Sequence, residues 1–120
     1  MWLFTIYGFY SIACADGQDG LRDPNTIMIR GREKRHLQNL KNKFPMIQEE
    51  IITTWNTDYR YRIVLTKAKW VPVLSELAQE QTWANFKNKV DNNSGQCGDD
   101  YAEALHKVWE TMYGLQPRER

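Results

Sequence analysis

Two segments of the chain alternate apolar and basic side chains, and this alternation constrains the fold more than any other feature. They read TIMIRGR at residues 26–32 and YRYRIVLTK at residues 59–67. Successive side chains of a β-strand point to opposite faces of the sheet, so a two-residue period is typical of a half-buried strand. The alternation therefore predicts a sheet with one apolar, covered face and one basic, open face.

The first fifteen residues, MWLFTIYGFYSIACA, are mostly apolar and end in a sequence similar to a signal-peptidase site. No Lys or Arg precedes Arg22, and polar residues and Gly8 interrupt the apolar run. An export signal needs a positive start and an unbroken apolar centre, and a membrane-spanning helix needs about 20 apolar residues. Aromatic and β-branched residues favour a strand instead. We therefore predict one strand over residues 2–15, bent at Gly8, in a cytoplasmic protein.

Turn-forming residues and apolar periodicities divide the rest of the chain into further segments. These are a turn at 16–25, a strand at 26–32, a helix at 33–44, strands at 51–55 and 59–67, a helix with Pro72 in its first turn, a helical segment around 83–90, a loop at 91–98, and a last helix from Asp99 to a cap at Gly114. The resulting order is β-β-α-β-β-α-α. It predicts an α+β fold, ferredoxin-like in general arrangement, in which an antiparallel sheet of about four strands carries helices on one face.

The chain length and charge limit the domain organisation and the partners. A chain of 120 residues fits one domain, which we place at 1–115, followed by a frayed polar tail at 116–120. The net charge of +1 excludes a general polycation, so contact with nucleic acid requires local clustering of basic residues. Cys14 and Cys97 lack the spacing of metal ligands, and we expect a reduced pair.

The predicted strands produce a local basic cluster. If their apolar residues face the helices, Arg30, Arg32, Arg60 and Arg62 project from the open face, and Lys34 and Arg35 extend the positive field along the next helix, as do Lys41 and Lys43. Four guanidinium groups on one surface are suited to phosphates or carboxylates. The alternative is an ordinary charged surface in which the arginines pair with nearby carboxylates, for which the candidates are Glu33, Glu49, Glu50 and Asp58.

Catalytic motifs are weak in this sequence. Glu103 and His106 form a single E-x-x-H, whereas a di-iron carboxylate site needs two copies and further carboxylates. The sequence contains two histidines and neither a nucleotide-binding glycine loop nor a G-x-S-x-G nucleophile motif. We assign no catalytic residue, metal ligand or cofactor, and a small metal-dependent nuclease stays an alternative without assigned residues.

The opening WLFT followed by GFYSI resembles a family of small uncharacterised bacterial proteins that begin with a W-L-F-T-x-x-G-F-[FY]-S-[IV] pattern. The similarity continues through Arg30-Gly31-Arg32, the internal TDYRYR at residues 57–62, Asn85-Phe86-Lys87 and His106-Lys107-Val108-Trp109. The resemblance extends over nearly the whole chain and implies a single cytosolic domain with an uncleaved N-terminus. It supplies no activity and no catalytic residues.

Two classes of function are consistent with these patterns. The first is a non-catalytic binding or regulatory protein whose arginine-rich sheet face binds an anionic partner, either nucleic acid or an acidic protein surface. The second is a protein-interaction module or homodimer that uses exposed aromatic residues, with Trp55, Trp70 and Trp83 as candidates. Arginine and tryptophan are both enriched at protein interfaces, so composition does not separate the two classes.

Overall fold

A computed structural model of the chain describes residues 1–17, 19–92 and 94–117. The chain forms two compact units, one of residues 1–82 and one of residues 83–120. The first unit contains a β-sheet with two helices, and the second contains three helices. We describe each unit by itself, and the prediction of a single domain over residues 1–115 stays a prediction.

The first unit is built on one antiparallel sheet. Its strands are β1 (Trp2–Thr5), β2 (Gly8–Asp16), β3 (Arg22–Gly31), β4 (Ile52–Thr53) and β5 (Tyr61–Thr66). Their order across the sheet is β1-β2-β3-β5-β4, and every neighbouring pair is antiparallel. The predicted α+β class with an antiparallel sheet is confirmed. The predicted count of about four strands and the ferredoxin-like arrangement are matched only roughly, since the sheet has five strands.

The additional strand comes from the opening stretch, which forms a hairpin and not one bent strand. Residues 6–7 make a tight turn, and Phe4 pairs with Phe9 across it. The Thr5 hydroxyl accepts hydrogen bonds from the backbone N–H groups of Tyr7 and Gly8, at 3.0 and 3.1 Å, and donates to the Gly8 carbonyl at 2.8 Å. The Thr5 hydroxyl thus stabilises a turn that the mostly apolar composition of the stretch does not predict.

The second hairpin, between β2 and β3, is confirmed, but its loop is shorter than predicted. β3 begins at Arg22, so the connection is residues 17–21 and not 16–25; Gln18 lies outside the described residues. The register shifts between Cys14 and Ala15, so that Cys14 pairs with Ile27 and Ala15 with Asp23. Beyond that irregularity, Ile12 pairs with Ile29 and Ser11 with Arg30.

Two helices cover one face of the sheet. They are α1 (Lys34–Lys43) and α2 (Lys67–Gln79). Their inward side chains, Leu37 and Leu40 from α1 and Trp70 and Val73 from α2, join a single core with the apolar residues of the strands, which are Tyr10, Ile12, Ile27, Ile29, Ile63 and Leu65. The predicted two-residue period in β3 and β5 therefore selects the covered face correctly. Among the described residues of this unit, both helices pack on this same face of the sheet.

The start of α2 differs from the prediction. Thr66 caps the helix, because its hydroxyl accepts a hydrogen bond from the Lys69 N–H at 3.3 Å, and helical residues begin at Lys67. Pro72 consequently lies inside the helix and not in its first turn. Threonine is among the preferred N-terminal capping residues, and its position before Lys67 is the sequence signal for this earlier start.

The second unit consists of α3 (Phe86–Asn92), α4 (Ser94–Cys97) and α5 (Asp99–Tyr113). The last helix begins at Asp99 and ends at Gly114, as predicted, whereas the loop predicted at 91–98 is largely helical. Asn93 in that segment, and residues 118–120 of the predicted tail, lie outside the described residues. The buried side chains of the unit are Val90, Cys97, Tyr101 and Leu105.

Candidate functional site

The sheet register brings two of the predicted arginines side by side. Arg30 on β3 pairs directly with Arg62 on β5, and both side chains are half-buried. They alternate with Ile29 and Ile63, which are fully buried in the core, so the two guanidinium groups lie on the face opposite α1 and α2. This pairing is the register that the predicted cluster requires.

The Arg30 side chain is held on both sides. Its Nη2 donates to the Ser11 hydroxyl at 2.8 Å and its Nε to the Ser11 carbonyl at 3.4 Å. The guanidinium carbon lies 4.9 Å from the centre of the Tyr59 ring, within the range of a cation–π contact. The guanidinium plane therefore has a fixed position before any ligand arrives.

The Arg62 side chain has weaker partners. Its Nη1 lies 3.4 Å from the Met28 sulfur, a weak acceptor, and its Nε is buried without a hydrogen-bond partner. A guanidinium carries five N–H donors, and no oxygen acceptor in the described part of the chain bonds to this one. Arg62 is thus a partly desolvated cation whose hydrogen-bonding capacity is largely unused.

Arg32 and Arg60 lie just outside the strands and are positioned by aromatic rings. The Arg32 guanidinium is 4.8 Å from the centre of the Tyr59 ring, and the Arg60 guanidinium is 4.8 Å from the centre of the Trp55 ring. Both arginines are exposed. Arg32 therefore shares the Tyr59 ring with Arg30, whereas the ring contact of Arg60 is with Trp55. Only Arg30 and Arg62 are placed side by side by strand alternation.

Tyr59 occupies a position that strand alternation did not predict. The two-residue period places it with Ile63 and Leu65 on the covered face, yet its ring lies beneath Arg30 and Arg32. Residues 57–60 form a bend before β5 begins, so the alternation does not extend back to Tyr59. The Thr54 and Thr57 hydroxyls donate to the Tyr59 carbonyl at 3.1 and 2.8 Å and hold this bend in place.

Three more aromatic rings continue the same surface toward β1. The ring centres of Phe9 and Tyr59 are 6.4 Å apart. Phe9 also stacks on Phe4, with ring centres 4.6 Å apart and an angle of 24° between the planes. Trp2 meets Phe9 edge to face, with centres 6.0 Å apart and planes at 89°. These rings were not predicted as site residues, because they reach the surface only through the unpredicted hairpin. We call the whole surface the arginine–aromatic face and define it as Trp2, Phe4, Phe9, Tyr59, Arg30, Arg32 and Arg62.

Within the described residues, the carboxylates proposed as alternative partners do not pair with the four predicted arginines. Glu33 lies 3.0 Å from His36 and 3.7 Å from Arg35, and Glu49 pairs with Lys69 at 2.8 Å. Within the described residues, Glu50 and Asp58 make no ion pair, and neither does any of the four arginines at positions 30, 32, 60 and 62. The open face therefore carries positive charge that is not neutralised by these carboxylates.

The basic residues of α1 do not extend this face. Lys34 and Arg35 lie on the helix that covers the opposite, apolar side of the sheet. Arg35 contacts Glu33, Lys41 donates to the Glu49 carbonyl at 2.7 Å, and Lys43 pairs with Glu80 at 3.3 Å. A helix that buries its apolar side against the sheet must direct its basic side away from it, so these residues form a separate charged surface.

His36, on α1, holds the backbone of Phe9, one of the residues of the arginine–aromatic face. Its Nδ1 accepts a hydrogen bond from the Phe9 N–H at 3.3 Å, and its Nε2 lies 3.0 Å from a Glu33 carboxylate oxygen. The acceptor role of Nδ1 requires the neutral ring with its proton on Nε2. Burial lowers the pKa of His36 below its usual value, which favours that neutral form, although the Glu33 carboxylate opposes the shift. The ring thus fixes the backbone from which Phe9 projects.

The three tryptophans predicted for a protein interface have different environments. Trp70 is 5% exposed and belongs to the core, where it lies with Val73 on the buried side of α2. Trp55 is 68% exposed and contacts Arg60. Trp83 is half-buried, with the Lys89 ammonium 5.8 Å from its ring centre. Of the three, only Trp55 has the exposure that an interface residue needs.

The last helix carries an aromatic surface that the sequence reasoning did not identify. Trp109 stacks on His106 and on Tyr113, with ring centres 6.0 and 5.4 Å apart, and the Lys87 ammonium lies 5.2 Å from the Trp109 ring centre. His106 also approaches Glu110 at 3.0 Å. The histidine of the E-x-x-H motif is therefore part of an exposed stack on α5.

Comparison of the chain with protein-family models, with curated proteins and with solved structures found no match. Among the residues that the structure describes, no three His, Cys, Asp or Glu side chains come together as metal ligands would. No helix within the same residues is long and apolar enough to cross a membrane. Cys14 and Cys97 are present as thiols, the first half-buried and the second buried.

Proposed function

We propose that this protein is a non-catalytic binding protein that binds nucleic acid through its arginine–aromatic face. The observation that carries the proposal is the direct pairing of Arg30 with Arg62 across β3 and β5. Like charges directly opposite each other destabilise a sheet, and neither guanidinium has a carboxylate partner within the described residues. A phosphate backbone lying across the two strands neutralises both charges at once.

The local geometry favours phosphate as the ligand group. A guanidinium binds phosphate through two parallel N–H donors, and its planar shape makes the contact directional. Arg30 is already oriented by Ser11 and Tyr59, so it loses little side-chain entropy on binding. Arg32, stacked on the same Tyr59 ring, is exposed and adds a second charge beside it.

The overall charge of the chain makes this local arrangement decisive. A net charge of +1 provides almost no general attraction for a polyanion, so affinity must come from the clustered arginines. Binding of this kind weakens steeply as salt rises, because each neutralised phosphate releases counterions. An acidic protein surface satisfies the same arginines but provides no nucleobase for the adjoining rings, and the two partners are separated by the test.

The test compares two double variants that remove the same charge from opposite sides of the sheet. Arg30→Gln with Arg62→Gln changes the face, and Lys34→Gln with Arg35→Gln changes α1. Each pair lowers the net charge from +1 to −1. Binding of a labelled oligonucleotide is measured by fluorescence anisotropy over a series of salt concentrations, with circular dichroism to check folding.

We expect the face variant to lose most of its affinity and the slope of log K against log salt to fall by about 1.4, at roughly 0.7 for each single-strand phosphate contact. The α1 variant should keep both affinity and slope to within experimental error. No binding by the unmodified protein contradicts the proposal. Equal losses in the two variants also contradict it, since a bulk charge effect then accounts for the binding, and so does preferential binding of a poly-glutamate peptide.

A further inference from the structure

We propose that the nucleic acid is single-stranded and that its bases stack on the aromatic part of the face, with Trp2 as the principal platform. This inference rests on the proposed function and specifies its ligand. It begins with the exposure of Trp2, which is 70% even though the indole is among the largest apolar side chains. A large aromatic group left in water beside a charged cluster is typical of a binding surface.

The Trp2 ring is supported but not covered. Its ring contact is with Phe9 alone among the described aromatic residues, and the two planes are nearly perpendicular. Phe9 is itself held by stacking on Phe4 and by the backbone hydrogen bond to His36. The indole therefore stands on a fixed base and still has a flat surface to offer to a nucleobase.

The register aligns this platform with the arginines in one row. Trp2 pairs with Ser11, Ser11 with Arg30, and Arg30 with Arg62, so the four residues follow one line across β1, β2, β3 and β5. Neighbouring strands are about 4.8 Å apart, which places the start and end of the row about 14 Å from each other. A short stretch of polynucleotide crossing the strands thus has a base at Trp2 while its phosphates pass Arg30 and Arg62.

The charge pattern along the row supports this orientation. The residues that share this face on the paired strands include Phe9, Met28, Val64 and Ile52 besides the arginines, and none of the register positions in the row is acidic. The positive charge is concentrated at β3 and β5 and the aromatic surface at β1 and β2. One side of the face therefore suits a backbone and the other suits bases.

A duplex does not use such a surface well. Its bases are stacked on one another and present only their edges, whereas a single strand exposes the flat faces that aromatic side chains contact. The row also offers few groups for reading base edges, since the Ser11 hydroxyl is buried and already accepts from Arg30. We therefore expect single strands to be preferred over duplexes with little discrimination among sequences.

The test uses three labelled probes of about 15 nucleotides, a length within the usual site range of single-strand binders. They are oligo-dT, a duplex of the same length, and an abasic oligonucleotide that keeps the phosphates and lacks the bases. Each is titrated against the unmodified protein, against Trp2→Leu, and against Trp109→Leu. The last is a matched control, because Trp109 is 53% exposed and lies on α5 of the second unit.

We expect oligo-dT to bind tightest, and Trp2→Leu to weaken its binding roughly 5- to 150-fold, the range for loss of one stacked base. The same substitution should leave the duplex and abasic affinities unchanged, because it removes no charge. Trp109→Leu should alter none of the three, and Trp2→Phe should recover part of the oligo-dT affinity. Since Trp2 is mostly exposed, the Trp2 variants should keep the thermal transition of the unmodified protein.

Two results overturn the inference while the proposed function stands. One is equal affinity for all three probes, and the other is oligo-dT binding that Trp2→Leu does not change, in each case with binding lost in the Arg30→Gln and Arg62→Gln double variant. Absence of binding to all three probes overturns the proposed function itself. The arginine variants and the tryptophan variants thus report separately on the phosphate contacts and on base stacking.

Discussion

Substitution of Gly8 by alanine tests how tightly the first hairpin is packed against α1. A Cβ atom at position 8 would lie 2.3 Å from Cγ of His36 and 2.4 Å from its Cβ. Neither atom is the far end of a flexible side chain, so the helix or the hairpin itself must move. Gly8 also has a φ of +151°, a conformation that side-chain-bearing residues rarely adopt.

The two effects can be given magnitudes. Overpacking of a core typically costs about 1–3 kcal/mol, and holding a non-glycine residue in such a backbone conformation costs about 1–3 kcal/mol more. We therefore expect Gly8→Ala to lower the free energy of unfolding by about 4 kcal/mol, against a total of about 5–15 kcal/mol for a typical domain. At about 4 °C for each kcal/mol, the Tm should fall by roughly 16 °C.

Urea denaturation and thermal melting followed by circular dichroism measure the change. Gly95→Ala is the matched control, because outside its chain neighbours and its own helix backbone no atom of the described residues lies within 4 Å of its Cβ position, and its φ is not in the glycine-favouring region. Since Gly95 lies in α4 and alanine is favoured over glycine in a helix, we expect this substitution to leave stability unchanged or to raise it by up to about 1 kcal/mol. His36→Gly removes both clashing atoms, so in that background Gly8→Ala should retain only the backbone cost. A cost below about 1 kcal/mol for Gly8→Ala alone, or one that His36→Gly does not reduce, refutes the steric argument.

Two further predictions concern buried polar groups. The Tyr7 hydroxyl donates to the Glu80 carboxylate at 2.9 and 3.1 Å, and burial together with this contact raises the pKa of Tyr7, so Tyr7→Phe should cost about 1.5 kcal/mol in urea denaturation while Tyr113→Phe, at an exposed position, costs almost nothing. Burial lowers the pKa of His36 below its usual value, so the unfolded chain takes up the proton first as the pH falls. Stability should be constant above about pH 7.5 and should decline as the pH falls through about 6.5, by at most about 1.4 kcal/mol per pH unit. The same denaturation series between about pH 7.5 and 5.5 should lose this slope in His36→Gln and keep it in His106→Gln, and a slope that His36→Gln leaves unchanged would contradict the assignment.

Local sequence patterns predicted the helices α1 and α5 and the buried faces of β3 and β5. The spacing of Leu37 and Leu40 before Pro45 predicts a helix that the structure contains as α1, and the carboxylates at the start of α5 and Gly114 at its end bound that helix correctly. The start of α2 and the structure of residues 91–98 were predicted wrongly, because each segment carries two conflicting local signals. Pro72 favours a later start of α2 than the Thr66 cap does, and the polar composition of residues 91–98 favours a loop where the structure contains α4.

The site itself was predicted in part. Alternation alone predicts that Arg30 and Arg62 lie on the face opposite the core, because the apolar residues next to each of them in its own strand are buried. It missed Trp2, Phe4 and Phe9, since the turn of the first hairpin falls at Ile6 and Tyr7, two residues that are not typical of turns. It also misplaced Tyr59, whose backbone bends before the strand begins.

In β3 and β5 the sequence alone assigns the buried side, because a two-residue period distinguishes the two faces of a strand without reference to any other part of the chain. Which residues meet across strands was decided only by the tertiary structure. The pairing of Arg30 with Arg62 and the alignment of Trp2 with both depend on the register of four strands, which a shift of one residue would abolish. That register is set by the packing of distant residues in one core, where Ile29, Ile63 and Leu37 exclude water together.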